Sequence, residues 1–219
     1  MSQNASWTSL SARDMSEQVT ELIHPQKFWS KRGLETEEDL VAAAVGGSDH
    51  AFTKLAERYY GPIFGYLVRQ TGDRELAEDL AQETMVIAYR KVRTLEDGQR
   101  FAGWLFRIAQ NELRSNRRRA RIRQFLSIDK LKEEFGFSPP TNDRSSDPHT
   151  ATERDQIQQV LDELSPNLRD ALLLARLWGF PSKDVARILN ISPTAARQRI
   201  SRADEQFRTL YQQLDGADQ

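Results

Sequence analysis

The sequence predicts an all-α fold: two small helical domains joined by a flexible polar linker. Three observations predict it. Almost every patterned segment repeats its apolar residues at helical steps, and none alternates as a strand does. From about Ser127 that period fails, and "EEFGFSPPTNDRSSDPHTATER" collects Pro, Ser, Asn, Asp and Gly, which suits a tether better than a core element. Helical periodicity then returns for a second run. A chain of 219 residues is long enough for one or two domains with a real core. The boundaries drawn are an extension at 1–35, a first domain at 36–126, a linker at 127–152, a second domain at 153–214 and a tail at 215–219.

The elements follow in order. "TEEDLVAAAV" opens with Thr36 and has Asp39 three residues on, the spacing of a capping box; Leu40, Val41 and Ala44 form its inner line, and Gly46–Gly47 stop it. The next helix carries Phe52, Leu55, Ala56, Tyr59, Ile63, Tyr66 and Leu67, with a bend expected at Gly61–Pro62. Asp73 is placed to cap "RELAEDLAQETMVIAYRKV", whose apolar line reads Leu76, Leu80, Met85, Ala88, Tyr89 and Val92. "TLEDGQR" is a polar turn, and "FAGWLFRIAQNELRSNRRR" resumes the helical period. After the linker come "DQIQQVLDEL" and then "NLRDALLLARLW", with Ser165 as N-cap and Pro166 in its first turn.

"PSKDVARILNI" then predicts a short helix capped by Ser182, with Val185, Ala186 and Leu189 inward. Asn190 stands where that helix must turn sharply, and after Gly it is the residue that best tolerates a left-handed backbone. Ile191 plugs the corner, Ser192 caps the next helix and Pro193 takes its first position. The unit is a tight helix-turn-helix, with small Ala186 at the close approach. On its second helix Ala196, Ile200, Ala203 and Phe207 share one side. The other side carries Thr194, Arg197, Gln198 and Ser201, flanked by Arg199 and Arg202, side chains that bond base edges and phosphates. Alone, the helix reads equally well as a solvated face; the turn and caps tip the reading towards DNA recognition.

Composition narrows the function classes. The net charge is −1, which excludes a simple basic coat for nucleic acid, but the layout is uneven: Arg114, Arg117, Arg118, Arg119, Arg121 and Arg123 crowd one segment, and acid concentrates elsewhere. Cysteine is absent, which fits a reducing cytoplasm. His24, His50 and His149 lie too far apart for a ligand set, so neither a metal nor a cofactor is expected. The first residues lack a secretory pattern, and no stretch approaches the roughly 20 apolar residues of a membrane span. No nucleophile–base pair or phosphate loop marks an enzyme.

The first-domain run "AEDLAQETMVIAYRKV", the turn and "FAGWLFRIAQNELRSNRRR" resemble domain two of bacterial sigma factors. "DELSPNLRDALLLARLWGFPSKDVARILNISPTAARQRISRA" resembles their domain four. The nearest likeness is the extracytoplasmic-function (ECF) group of the sigma-70 family, covering most of residues 36 to 214. The resemblance implies a dissociable, non-catalytic initiation subunit that directs core RNA polymerase to promoters and opens the strands. It implies that Glu78, Asp79, Gln82 and Glu83 dock on the β′ clamp helices, where carboxylates suit a partner presenting Arg and Lys. It implies that the turn, with Gln99 and Arg100, captures a flipped base of the minus-ten strand, that Arg107, Asn111 and Arg114 track that strand, and that Arg117 and Arg118, like Arg119, hold phosphates. Trp104 fits a stacking platform or the apolar group of Leu105 and Ile108, and the second reading weighs more. Thr194, Arg197, Gln198, Arg199, Ser201 and Arg202 would read the minus-thirty-five element. Leu172, Leu173, Leu174 and Leu177 exceed one buried stripe, which fits partial use as a surface for the β flap, with core packing the default for most of them.

The acidic linker residues Glu133, Glu134, Asp143 and Asp147 would mimic nucleic acid in a basic channel of the polymerase. The implied partners are core polymerase and promoter DNA, with an anti-sigma factor as a further candidate and no membrane insertion. The implied location is the cytoplasm, at the nucleoid when assembled with polymerase. Residues 1–35 depart from the pattern: Met15, Val19, Leu22 and Ile23 at helical spacing, with Phe28 and Trp29, fit a tail, a patch on the first domain or a mask over a functional surface. The competing reading is a stand-alone helix-turn-helix regulator with a helical sensor domain, which explains the second half but not the ordered motifs of the first.

Overall fold

The computed structural model describes residues 36–95, 101–134 and 153–217, which form eight α-helices and contain no strand. The first domain holds α1 (Glu37–Val45), α2 (Asp49–Thr71), α3 (Arg74–Lys91) and α4 (Phe101–Glu134), with a 3-10 turn at Val92–Thr94 after α3. The second holds α5 (Glu153–Glu163), α6 (Pro166–Leu172), α7 (Ser182–Leu189) and α8 (Pro193–Ala217). The extension at 1–35, with its Met15–Ile23 stripe, and the stretch 135–152 lie outside the described residues, as do Gln99 and Arg100.

Local chemistry sets the helix ends. Thr36 and Asp39 close a reciprocal capping box on α1. Ser48 caps α2, and Gly72 ends it with φ 63°, a left-handed turn. Asp73 accepts the Leu76 N–H at 3.1 Å to start α3. Gly61–Pro62 does not break α2, which runs from Asp49 to Thr71 with Pro62 buried. α4 continues to Glu134, beyond the boundary expected at residue 126. No Gly or Pro occurs between Gly103 and Gly136, so nothing local terminates the helix where its apolar period fades.

The first core is built from Leu55, Tyr59, Ile63, Tyr66 and Leu67 of α2 against Phe101, Leu105, Phe106, Ala109 and Leu113 of α4, all fully buried. Each such large apolar side chain contributes about 1.5–3 kcal/mol by leaving water. α3 follows its expected line at Leu80, Ala88 and Val92 and departs from it at Tyr89. It buries Ala77, Leu80, Ala81, Thr84 and Ala88, while Leu76 and Met85 are half-buried. Small residues on the inner face let α3 approach its neighbours closely. Tyr89 is 50% exposed, with its ring edge against Phe52 and its hydroxyl donating to Asp49 at 2.9 Å.

In the second domain Ser165 makes no side-chain cap; its carbonyl accepts from the Leu168 and Arg169 N–H groups. α6 widens into a π-helical turn at Leu173–Leu177, closed by the Trp178 N–H on the Leu173 carbonyl. That wider turn brings Leu172, Leu173, Leu174 and Leu177 all to buried positions, so none of the four offers the exposed docking surface expected for part of the set. Pro181, not Ser182, is the N-cap of α7, and its carbonyl takes the first helical bonds. Asn190 adopts φ 54°, ψ 54°, the left-handed corner the sequence requires, and the Ile191 N–H reaches back to the Ala186 carbonyl. Ser192 caps α8 through the Ala195 N–H at 3.1 Å. Ala196, Ile200, Ala203 and Phe207 are buried together, as their spacing demands.

The two domains pack directly on one another. Phe106 of α4 lies 5.2 Å from the rings of both Trp178 and Phe180, and Trp178 also covers Gly65 of α2.

Candidate functional site

The predicted site residues fall on three surfaces and one internal junction. On α3, Glu78, Asp79, Gln82 and Glu83 are all exposed, opposite the buried alanines. The Asp73 cap and that close packing fix the helix, so four polar side chains stand on a rigid ridge. Val86, 41% exposed, extends the ridge one turn beyond Glu83. Sequence reading missed it, although its place seven residues after Asp79 was a visible signal.

Along α4, Arg107, Asn111 and Arg118 are exposed and lie on one stripe. Asn111 also lines an open depression between α3 and α4 with Ile87, Arg90, Lys91, Ile108 and Glu112. Arg90 and Lys91 thus add positive charge beside Asn111, a juxtaposition that only the packing of two helices creates. Trp104 is half-buried, its ring 5.6 Å from Phe101. Arg114 and Arg117 are different: both turn towards the second domain.

On α8, Thr194, Arg197, Gln198, Ser201 and Arg202 are exposed, and Arg199 is half-buried at the flank. Arg197 donates to the Thr194 hydroxyl at 3.3 Å, which biases its rotamer along the helix. A two-pronged ion pair behind this face holds the helix: Arg176 meets Asp204 through Nε at 2.9 Å and Nη2 at 2.5 Å. The Asp204 carboxylate pushes the Arg176 guanidinium above its usual range.

The junction is a chain of buried polar groups. The Tyr66 hydroxyl donates to Gln110, whose amide donates to Asp170. Arg117 reaches Asp170 at 3.4 Å, the Gln70 side chain at 2.9 Å and the Gln70 carbonyl at 3.2 Å. Arg169 bonds Asp162 at 3.0 Å and the Gln70 carbonyl at 3.1 Å. Arg114 donates to the Leu189 carbonyl at 3.0 Å, at the negative end of α7. Burial pushes the Asp170 carboxyl above the ordinary aspartate range, with Arg117 and the Gln110 amide opposing. Nothing in the sequence signalled this set, because Gln110, Asp170 and Arg169 read as the polar side of their own helices.

Among the described residues no group of three or more His, Cys, Asp or Glu is placed to hold a metal ion. Among them, too, no helix is long and apolar enough to cross a membrane.

Known proteins resemble this chain in sequence and in fold. Residues 55–123 match the Sigma-70 region 2 model and residues 154–204 match the Sigma-70, region 4 model. The chain is 31% identical over 170 residues to the RNA polymerase sigma factor CarQ of Myxococcus xanthus, covering 77% of this chain and 94% of that one. It is 32% identical over 187 residues to the RNA polymerase sigma-H factor of Pseudomonas aeruginosa, covering 82% and 96%. It is 28% identical over 195 residues to the ECF RNA polymerase sigma factor SigE of Mycolicibacterium smegmatis, covering 85% and 74%. Among solved structures, CnrH in complex with the cytosolic domain of CnrY superposes with a TM-score of 0.56 at 25% identity, over 84% of this chain and 100% of that one. The sigma factor RpoE from Bartonella quintana, solved with the anti-sigma factor NepR, shares the fold with a TM-score of 0.59 at 23% identity, over 74% and 96%. With both sigma regions present in order, on an all-α chain that carries the helix-turn-helix, this protein belongs to the ECF group of the sigma-70 family.

Proposed function

We propose that this sigma factor directs core RNA polymerase to its promoters through three surfaces. The α3 ridge of Glu78, Asp79, Gln82 and Glu83 docks on the β′ clamp helices, with Val86 as an apolar anchor. The α4 stripe of Arg107, Asn111 and Arg118, with Arg114 and Arg117 beside it, takes the minus-ten strand together with Gln99 and Arg100 of the preceding turn. The outer face of α8 reads the minus-thirty-five element in the major groove: Arg197 and Gln198 at base edges, Thr194 and Ser201 beside them, Arg199 and Arg202 on phosphates. The chain works as a dissociable, non-catalytic subunit in the cytoplasm. CnrH was solved bound to the cytosolic domain of CnrY, and a protein partner of the anti-sigma kind is proposed for this chain as well.

The observation that carries the reading is the presence, on one chain, of a rigid exposed carboxylate ridge and an exposed recognition face. A stand-alone regulator accounts for α7 and α8 but leaves the region 2 match at 55–123 without a purpose. The test reverses charge on the ridge. The Asp79→Lys, Glu83→Lys double variant should bind core polymerase at least about tenfold more weakly, since complementary charges across an interface govern both encounter and fit. Circular dichroism should be unchanged, because both side chains point to solvent. Wild-type core affinity would sink the assignment.

A further inference from the structure

We infer that residues 15–29 of the extension seat in cis on the outer side of α2, crossing that helix at Gly61 and covering the stacked rings of Tyr60 and Phe64. The inference stands apart from the reading of the chain as a sigma factor. Ala56, Tyr60, Phe64 and Val68 recur at steps of four along α2, and each is only half-buried. The Tyr60 and Phe64 rings lie parallel with centroids 6.3 Å apart, and the Arg74 guanidinium sits 5.1 Å over Phe64. The result is a continuous aromatic plate at the surface of the first domain, closed at one edge by a cation. Beside it Gly61 is exposed in the middle of a helix that runs from Asp49 to Thr71. Glycine weakens a helix interior, and its use there is explained where a second stretch of chain passes close to the backbone.

The extension supplies the matching groups and is tied next to the plate. Phe28 and Trp29 are an adjacent aromatic pair, and Met15, Val19, Leu22 and Ile23 repeat at helical spacing. An amphipathic stripe of that length is marginal as a helix in water and is stabilised by an apolar surface to lie on. The extension joins the fold at α1, whose first residue is held against α2: Glu37 lies 3.9 Å from Arg58, and the Tyr59 hydroxyl also meets its carboxylate. That entry point is about one turn before Gly61. From Arg58 to Phe64 the rise along α2 is about 9 Å, and the chain from Trp29 to Glu37 reaches at most about 29 Å, enough to cross the helix. Charge agrees: Lys27, Lys31 and Arg32 flank the aromatic pair, while Glu38 and Glu57 stand exposed on α1 and α2. Being tethered, the extension meets the plate at an effective concentration on the order of millimolar, which favours it over a free partner.

The test uses the whole chain, with the photo-reactive p-benzoyl-phenylalanine in place of Tyr60. Irradiation of the free protein should give a monomer-sized adduct in which this position is joined to the tryptic peptide 14–27 or 28–31. The Phe28→Asp, Trp29→Asp double variant should lower its yield about fivefold or more, because the aromatic contacts and the apolar area are lost together. Stability gives an independent readout at Gly61. On an open helix face Gly61→Ala should raise Tm by about 2–4 °C, since alanine is the better helix former. In the otherwise unchanged chain it should give no rise, because the added methyl group meets the crossing segment. In the Phe28→Asp, Trp29→Asp background the full rise should return. An equal rise in both backgrounds would overturn the inference. So would an adduct confined to a second copy of the chain, an adduct with a polymerase subunit in its place when core enzyme is added, or no adduct with residues 1–35.

Discussion

Arg176 and Asp204 join the turn after α6 to the recognition helix, and removing the arginine measures what holds that helix in place. The pair is two-pronged, at 2.9 and 2.5 Å, with side chains 32% and 25% exposed. Exposed pairs contribute under about 1 kcal/mol, and breaking a buried one costs about 3–5 kcal/mol. A half-buried, bidentate pair lies between them, so Arg176→Ala should cost about 2 kcal/mol. For a structured chain of this size each kcal/mol moves Tm by about 2–4 °C, so melting should fall by about 4–8 °C. Arg176→Lys should recover only part of the loss, because an ammonium makes one bond where the guanidinium fork makes two. The assay is thermal unfolding of the two single variants and the double variant with Asp204→Ala, analysed as a cycle. Affinity for the minus-thirty-five element should fall while the order of preference among base variants is retained, since the reading side chains are untouched. A coupling below about 0.3 kcal/mol would show that the pair does not hold the helix.

Other perturbations separate the remaining parts. Asn190→Ala should destabilise the helix-turn-helix by about 1–2 kcal/mol, because only Gly and Asn accept φ 54° cheaply, and Asn190→Gly should be near neutral in the same urea titration. Replacing Arg107 and Asn111 with Ala should slow open-complex formation on duplex promoters, and a pre-melted bubble template should restore much of it; equal losses on both templates would move these residues out of strand capture. Arg197→Ala should cost about 1–3 kcal/mol on the preferred minus-thirty-five sequence and flatten discrimination, whereas Arg202→Ala should weaken all sequences alike and lower the salt slope by about one. Binding across single-base variants at two salt concentrations distinguishes those outcomes.

Much of the fold was legible because it is written locally. The Thr36–Asp39 box, the Asp73 cap, the Asn190 corner and the Ser192–Pro193 start each need only a few neighbouring residues. The Ala196–Ile200–Ala203–Phe207 line was legible for the same reason: period fixes which side of a helix faces in. On α3 the expected line holds at Leu80, Ala88 and Val92 and fails at Tyr89, because hydropathy favours a tyrosine over the alanines that permit close approach. The end of α4 lies beyond the point where its apolar period fades, because a solvated helix needs no such period and no breaker precedes Gly136. The junction was illegible in principle. Periodicity marks Gln110, Asp170 and Arg117 as polar, but whether a polar face meets water or another domain is a tertiary fact.

The central claim is that this chain confers promoter specificity on RNA polymerase and does so only in its company. The most direct measurement is run-off transcription from a library of promoter sequences by core enzyme with and without the protein. Sequence-specific transcripts should appear only when both are present, should share paired elements at the two promoter positions, and should vanish with the Asp79→Lys, Glu83→Lys variant. Tight, sequence-specific DNA binding by the protein alone, with transcription by core unchanged, would contradict the account.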